Sequence, residues 1–180
     1  MVEVCTIGHS THPIEEFLAI LHAHGVQEIA DVRTIPKSRT NPQFGGEALA
    51  RSLTAEGIAY RHLPALGGLR HPRADSLNDG WRNSAFRGYA DHMQTEEFDR
   101  GVDALLDAAA AHRVAAMCAE AVPWRCHRSL LGDALLVRGA TVLDLFDATT
   151  AKPHELTRFA RIRGDRITYP AETDDRATLF

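Results

Sequence analysis

The sequence predicts an α/β protein: a mostly parallel sheet of about five or six strands with helices on both faces, in one domain over residues 1–180. Three observations predict it. Short β-branched apolar runs alternate with helix-length segments, the pattern that builds a parallel sheet through crossover helices. The composition, 44% hydrophobic and 24% charged with 13 Gly and 8 Pro, is that of an ordinary globular chain long enough for one sizeable core. Reactive side chains also gather where the strands are expected to end, the place where open α/β sheets bind ligands.

In chain order, Val2 to Ile7 reads as a buried strand broken by Gly8-His9-Ser10. Pro13 fits a first helical turn, and Ile14, Phe17, Leu18 and Leu21 mark one helix face that stops at Gly25. Val26 to Val32 is a second strand ending in Asp31 and Arg33, followed by a polar loop from Thr34 to Gly46. Leu49 and Leu53 signal a helix over Glu47 to Glu56, and Ile58 to Leu63 a half-exposed third strand. The stretch 64–93 is expected to be a long irregular insertion anchored by Trp81, Phe86 and Tyr89. Thr95 caps a helix with a stripe of Phe98, Val102, Leu105, Leu106 and Ala109. Val114 to Met117 is a fourth strand, Leu130 to Leu135 lie on a helix ending at Gly139, and Thr141 to Phe146 is a fifth strand. A short helix over Pro153 to Ala160 and a sixth, edge strand over Arg166 to Tyr169 complete the prediction.

No apolar run approaches the ~20 residues of a membrane-spanning helix. Met1-Val2-Glu3-Val4 lacks a basic, then apolar, leader, so a cytoplasmic protein with no membrane partner is expected. Three cysteines build no disulfide framework. Net charge is −4, yet Arg33 to Arg87 holds nine Lys/Arg against four Asp/Glu, so the middle of the chain is locally basic. That balance fits either an anionic ligand or a solvated, loop-rich surface.

Cys118 to Arg128 carries the most chemistry. If a helix starts near Pro123, Cys126 sits in its first turn, where free N–H groups and the helix dipole favour a thiolate. Arg125 and Arg128 would depress the thiol further, and His127 would take or deliver a proton. Cys126, Cys118, His9, Glu120 and His127 are thus the catalytic candidates. Against that stands burial of Cys118 and Cys126 as small hydrophobes, the expected state of Cys5. A metal held by Cys118, Cys126, His127 and His9 is a competing use, but the Cys-x₇-Cys-His spacing matches no zinc motif, so no cofactor is expected.

Asp31 and Glu120 are either acid/base groups or ion-pair partners, Asp31 for Arg33 or Arg39 and Glu120 for a loop arginine. Ser10, Asp31, Arg33, Ser38, Arg39, Arg128 and Tyr89 are the substrate- or anion-binding candidates. Gly67-Gly68 is either a plain turn or a close backbone approach. His22, His24, His112 and His154 are expected on solvated surface. Neither a Gly-x-Gly-x-x-Gly fingerprint nor a phosphate-cradling Walker loop is present.

Five ordered blocks resemble the domain-of-unknown-function 488 family. They are Thr6-Ile7-Gly8-His9-Ser10, Asp31-Val32-Arg33 with Pro36 and Ser38-Arg39, Leu63-Pro64 through Gly67-Gly68, Phe86-Arg87-Gly88-Tyr89-Ala90, and Cys118-Ala119-Glu120 with Cys126-His127-Arg128. The resemblance implies a small cytosolic protein and brings no settled activity with it. A second likeness, to rhodanese-type sulfurtransferases, rests on Asp31-Val32-Arg33 and on Cys118 followed by Arg128-Ser129. It departs where a rhodanese loop of about six residues cradles a persulfide with backbone N–H groups. Here nine residues separate Cys118 from Arg128.

Three functions follow as expectations. The first is a thiol-dependent transferase or hydrolase acting on a small anionic or nucleotide-like ligand. The second is a nucleic-acid binder or processor using Arg33, Lys37, Arg39, Arg70, Arg73, Arg82 and Arg87, with Trp81 or Tyr89 stacking bases. The third is a metal- or redox-sensing module built on Cys118, Cys126 and His127. Oligomeric state is not legible in the sequence.

Overall fold

The computed structural model describes residues 1–172; the last residues of the expected 1–180 domain lie outside it. Strands β1 (Glu3–Gly8), β2 (Glu28–Asp31), β3 (Ala59–His62), β4 (Val114–Cys118), β5 (Thr141–Leu145) and β6 (Ala151–Pro153) form one sheet in the order β3-β2-β4-β1-β5-β6. All pairs are parallel except β5 with β6. Helices α1 (Ile14–Ala23), α2 (Gly46–Ala55), α3 (Ser84–His92), α4 (Glu96–Ala111) and α5 (Arg128–Val137) surround it, and β7 (Arg161–Arg163) pairs with β8 (Arg166–Thr168) in a separate hairpin. Among the described residues, no helix is long and apolar enough to cross a membrane. The fold class is therefore the expected one.

Connection order places the helices. The α1 and α2 crossovers step toward the β3 edge, whereas those through α4 and α5 step back toward β5. Right-handed crossovers then put the two pairs on opposite faces. The core agrees: Phe17, Leu21, Leu49 and Leu53 pack with Cys5, Ile7, Ile29 and Met117 on one face. Val102, Leu105, Leu131 and Leu135 pack with Val4, Ala30, Val114 and Ala116 on the other. Alternate side chains of β1, β2 and β4 feed the two cores, so these strands are apolar throughout and buried on both sides. The stops hold as well: Gly25, Gly57 and Gly139 take positive φ, and Thr95 Oγ1 caps α4 by accepting from Phe98 N–H.

Four expectations need correction. The stretch 64–93 is irregular only in its first part, because Ser84–His92 forms α3, with Asn83 Oδ1 accepting from the Ala85 and Phe86 N–H groups. Gly88 allows that helix to dock, since a Cβ there would lie 2.4 Å from the Arg70 carbonyl oxygen. Arg166–Thr168 is not an edge strand of the main sheet; that place belongs to β6, which Asp147 returns antiparallel by accepting from the Thr149 and Thr150 N–H groups. No helix covers Pro153 to Ala160, because Asp133 takes the Thr157 N–H and grips His154. The fourth concerns the start of α5. Residues Pro123–Arg125 form a 3-10 turn, Cys126 is extended at φ −136°, and the helix begins only at Arg128.

His154 is likewise not on a solvated surface. Its side chain is 7% exposed and bridges two buried carboxylates, Nε2 to Asp133 at 3.1 Å and Nδ1 to Asp144 at 3.0 Å. Thr6 donates to Asp144, and Tyr169 donates to Asp133 at 2.8 Å. Burial opposes its charge, but the two aspartates outweigh that and raise its pKa to about 9.

Candidate functional site

At its carboxyl end β4 is flanked by β2 and β1, whose following helices leave on the opposite face from α5. That is a topological switch point on both sides of one strand. The β4–α5 loop folds directly over β1: a Cβ at Gly8 would lie 1.5 Å from the Glu120 carbonyl oxygen. Its path is pinned by His9 N–H to Cys118 O at 2.9 Å and Ser10 N–H to Ala119 O at 3.0 Å. Ser10 is the one non-glycine residue with positive φ among those described, at 46°. Strain of this kind persists only where surrounding bonds over-determine it.

Between the ends of β2 and β4 opens a cleft of about 380 Å³. Arg33, Lys37, Glu120, Arg125, Cys118, Cys126 and His127 reach it, with Ile35, Leu69 and Phe86 as apolar wall. Cys118 and Cys126 are 1% and 6% exposed. Cys126 Sγ lies 3.3 Å from His127 Nδ1, while His127 Nε2–H donates to Val32 O at 2.9 Å. The second bond fixes the tautomer, leaving Nδ1 unprotonated beside Cys126, whose one S–H turns either to it or to Cys118. Burial first, then Arg128 and Arg70, lowers the His127 pKa to about 4, so the ring is neutral.

The two thiols divide one role. Burial pushes the Cys118 thiol up, but a hydrogen bond from Cys126, the Arg128 charge and the Glu120 main chain outweigh it and bring it below its ordinary value. Cys126 moves strongly the other way, through its donation to Cys118 and its own burial. Of the two, Cys118 is thus the more readily ionised when the Cys126 S–H turns to it. Arg128 lies behind them, 1% exposed, with only a 3.4 Å bond from Nη2 to Ala121 O. Its Nε and Nη1 have no partner among the described residues. A buried cation without a carboxylate is costly, and its charge favours ionisation of the Cys118 thiol.

The remaining candidates divide. His9 donates from Nδ1 to Ser10 O at 2.9 Å, takes Arg33 Nη1 at 3.4 Å on Nε2, and stacks on Phe44 at 4.4 Å. Burial, with Arg33 adding to it, lowers its pKa. Asp31 is fully buried and grips Arg33 Nε and Nη2 at 2.9 and 2.6 Å, and it accepts from Tyr60 at 2.7 Å. It is the ion-pair partner of Arg33 rather than a free base. Glu120 is exposed on the cleft with no side-chain bond among the described residues. Ser38 accepts from Asn41 N–H to shape its loop, and Arg39 is exposed away from the cleft lining. Tyr89 is fully buried, donates to Leu66 O at 3.0 Å and packs 4.9 Å from the His127 ring, so it supports rather than lines the site. Gly67 and Gly68 are close-approach glycines, against Thr34 and the His127 ring.

Lys37, which the sequence offers only as a nucleic-acid contact, lines the site, and so do Ile35 and Leu69, which it does not single out. Their only sequence signal is exposed apolar side chains within a basic loop. Among the described residues, no group of three or more His, Cys, Asp or Glu is arranged to hold a metal.

Residues 13–135 match the family described as domain of unknown function DUF488. The chain belongs to the DUF488 family. The DUF488 match includes β2, β4, both cleft cysteines and Arg128, while the Thr6-to-Ser10 block precedes it and the His154 network extends beyond it. No curated protein and no solved structure matches this DUF488 chain. The rhodanese likeness finds no support: the match is to DUF488, and the strand-to-helix loop runs through a 3-10 turn instead of a tight cradle.

Proposed function

We propose that the protein is a cytoplasmic thiol-dependent transferase or hydrolase whose nucleophile is Cys118. The observation that carries this reading is a cysteine at a strand end, beside a cleft, held below its ordinary pKa by a neighbouring thiol donor and a buried arginine. Structural cysteines move the opposite way, as Cys5 does when burial raises it to about 11. The Cys118 thiolate bonds to the electrophilic atom of the substrate as the bond to the leaving group breaks and the leaving group departs with its electron pair; Cys126 keeps its proton, and its S–H then turns to Nδ1 of neutral His127. Lys37 and Arg125 at the mouth favour a small anionic, nucleotide-like substrate, and Glu120 is the free carboxylate within reach for acid/base work. The test compares iodoacetate with iodoacetamide at Cys118, each rate normalised to a free thiol. The reading expects the anionic reagent to be favoured, with the preference lost in Lys37→Gln/Arg125→Gln; equal normalised rates in both proteins would refute an anion-seeking cleft.

A second reading, redox sensing, draws on the hydrogen-bonded thiol pair. Peroxide would take two electrons as Cys118 and Cys126 lose two protons and form one S–S bond, with water as the product. Mass spectrometry after peroxide treatment separates a Cys118–Cys126 disulfide from untouched thiols. The nucleic-acid reading has less behind it. Arg33, Arg70, Arg73 and Arg87 already bond carboxylates or carbonyls, and Trp81 packs in a cluster with Phe86, Phe159 and Tyr169.

A further inference from the structure

The loop carrying Cys118 to Cys126 has a second side. Pro123 and Trp124 turn away from the thiol cleft and wall another one, of about 650 Å³, against β5 and β6. Trp124 is 64% exposed, unusual for so large an apolar ring. Its centroid lies 6.2 Å from that of Phe146, the planes tilted by 38°, and Lys152 Nζ sits 5.7 Å from the Phe146 ring. Two polar groups of this cleft remain unspent. Ser129, nine-tenths buried in the first turn of α5, makes no side-chain hydrogen bond among the described residues. Trp81 lies on the same wall, and its buried indole N–H has no partner there either.

Charge narrows the occupant. Within the lining Lys152 is offset by Glu155 and His154 by Asp144, while buried Asp133 stands behind His154, so no positive charge is left over. That balance disfavours an anion and suits a neutral or cationic group. Stacking surface, an unspent hydrogen-bond donor and the lack of surplus positive charge together describe one chemical class.

We propose that this cleft binds a planar, uncharged or cationic heteroaromatic ring, stacked on Trp124, with an acceptor atom on the unspent Ser129 hydroxyl. The site is separate from the thiol cleft and does not rest on the reading of Cys118. Both tryptophans of the chain lie on it, so intrinsic fluorescence reports occupancy directly.

The test titrates the full chain with adenosine, cytidine and adenosine monophosphate, followed by fluorescence and by ligand-observed saturation-transfer NMR. Saturable binding of a nucleoside is expected, weaker for the monophosphate. Trp124→Ala should cost about tenfold or more in affinity, the scale of one lost ring stack, with Trp124→Phe between. Trp124 is exposed enough that its replacement leaves the core intact, and Ser129→Ala provides a second variant with an expected loss of several-fold. The proposal is overturned if none of the probes binds saturably in the millimolar range, if Trp124→Ala binds as the wild type does, or if the monophosphate binds more tightly than the nucleoside.

Discussion

Helix α5 carries two buried charged side chains with opposite histories. On one face Asp133 takes part in a saturated network with His154, Asp144, Tyr169 and the Thr157 N–H. Near the N-terminus Arg128 is as deeply buried, yet two of its guanidinium nitrogens lack partners and no carboxylate among the described residues answers its charge. A network with every member satisfied holds elements together; here it ties α5 to β1, β5 and the residues after β6 and β8. An unsatisfied buried cation is tolerated where it stabilises charge on something else, and beside it stand two thiols.

The comparison can be broken first on the saturated side. His154→Ala leaves two buried carboxylates without their cation, and about 3–5 kcal/mol of stability should be lost in chemical denaturation, the usual cost of removing one partner of a buried pair. A loss under about 1 kcal/mol would show that the network is not what joins β5 and β6 to α5. The pH dependence sharpens this. Because the folded pKa of His154 is raised to about 9, its contribution is fully present below the ordinary histidine value of 6.5 and disappears as pH climbs through about 9. Wild-type stability should therefore fall on the alkaline side across that window, and the His154→Ala protein should not show that fall.

On the unsatisfied side, Arg128→Met should cost little stability or even raise it, since no carboxylate depends on Arg128 and Cys118 can take up a proton once the cation is gone. The same change should raise the apparent pKa of Cys118 and slow its alkylation at neutral pH by about tenfold, one pK unit's worth. Gly68→Ala offers a geometric version: its Cβ would lie 2.3 Å from His127 Nδ1, so the ring must shift and the contact to Cys126 must weaken. A several-fold loss of Cys118 reactivity with a modest stability change is expected. Arg39→Ala, away from the cleft lining, should alter neither by a measurable amount.

The strand ends were legible in the sequence because apolar runs terminating in Asp31, Cys118 and His9 leave few alternatives in a parallel sheet. The order of those ends was not, because nothing local in β4 says that it inserts between β2 and β1. That insertion is what sets Cys118 beside Arg33 and Lys37. The helix start at Pro123 misled for a local reason: Pro at a first turn fits a 3-10 turn as well as an α-helix, and Cys126 N–H closing on Pro123 O ends it. The helix-terminus argument for a thiolate at Cys126 went with it. Helix α3 was hidden by Gly88, which serves docking against Arg70 rather than helix propensity. His154 escaped notice because its partners lie ten and twenty-one positions away, a separation no periodicity reports.

The central claim is that Cys118, and not Cys126, carries the reactive thiolate because Arg128 and the Cys126 S–H stabilise it. The most direct measurement is the pH dependence of alkylation at each cysteine, resolved by mass spectrometry in the wild type and in Arg128→Met. The account predicts that Cys118 reacts below the ordinary thiol pKa of about 8.5, that Cys126 and Cys5 react only far above it, and that Arg128→Met moves the Cys118 profile upward. A lower apparent pKa at Cys126 than at Cys118, or a Cys118 profile unmoved by loss of Arg128, would contradict it.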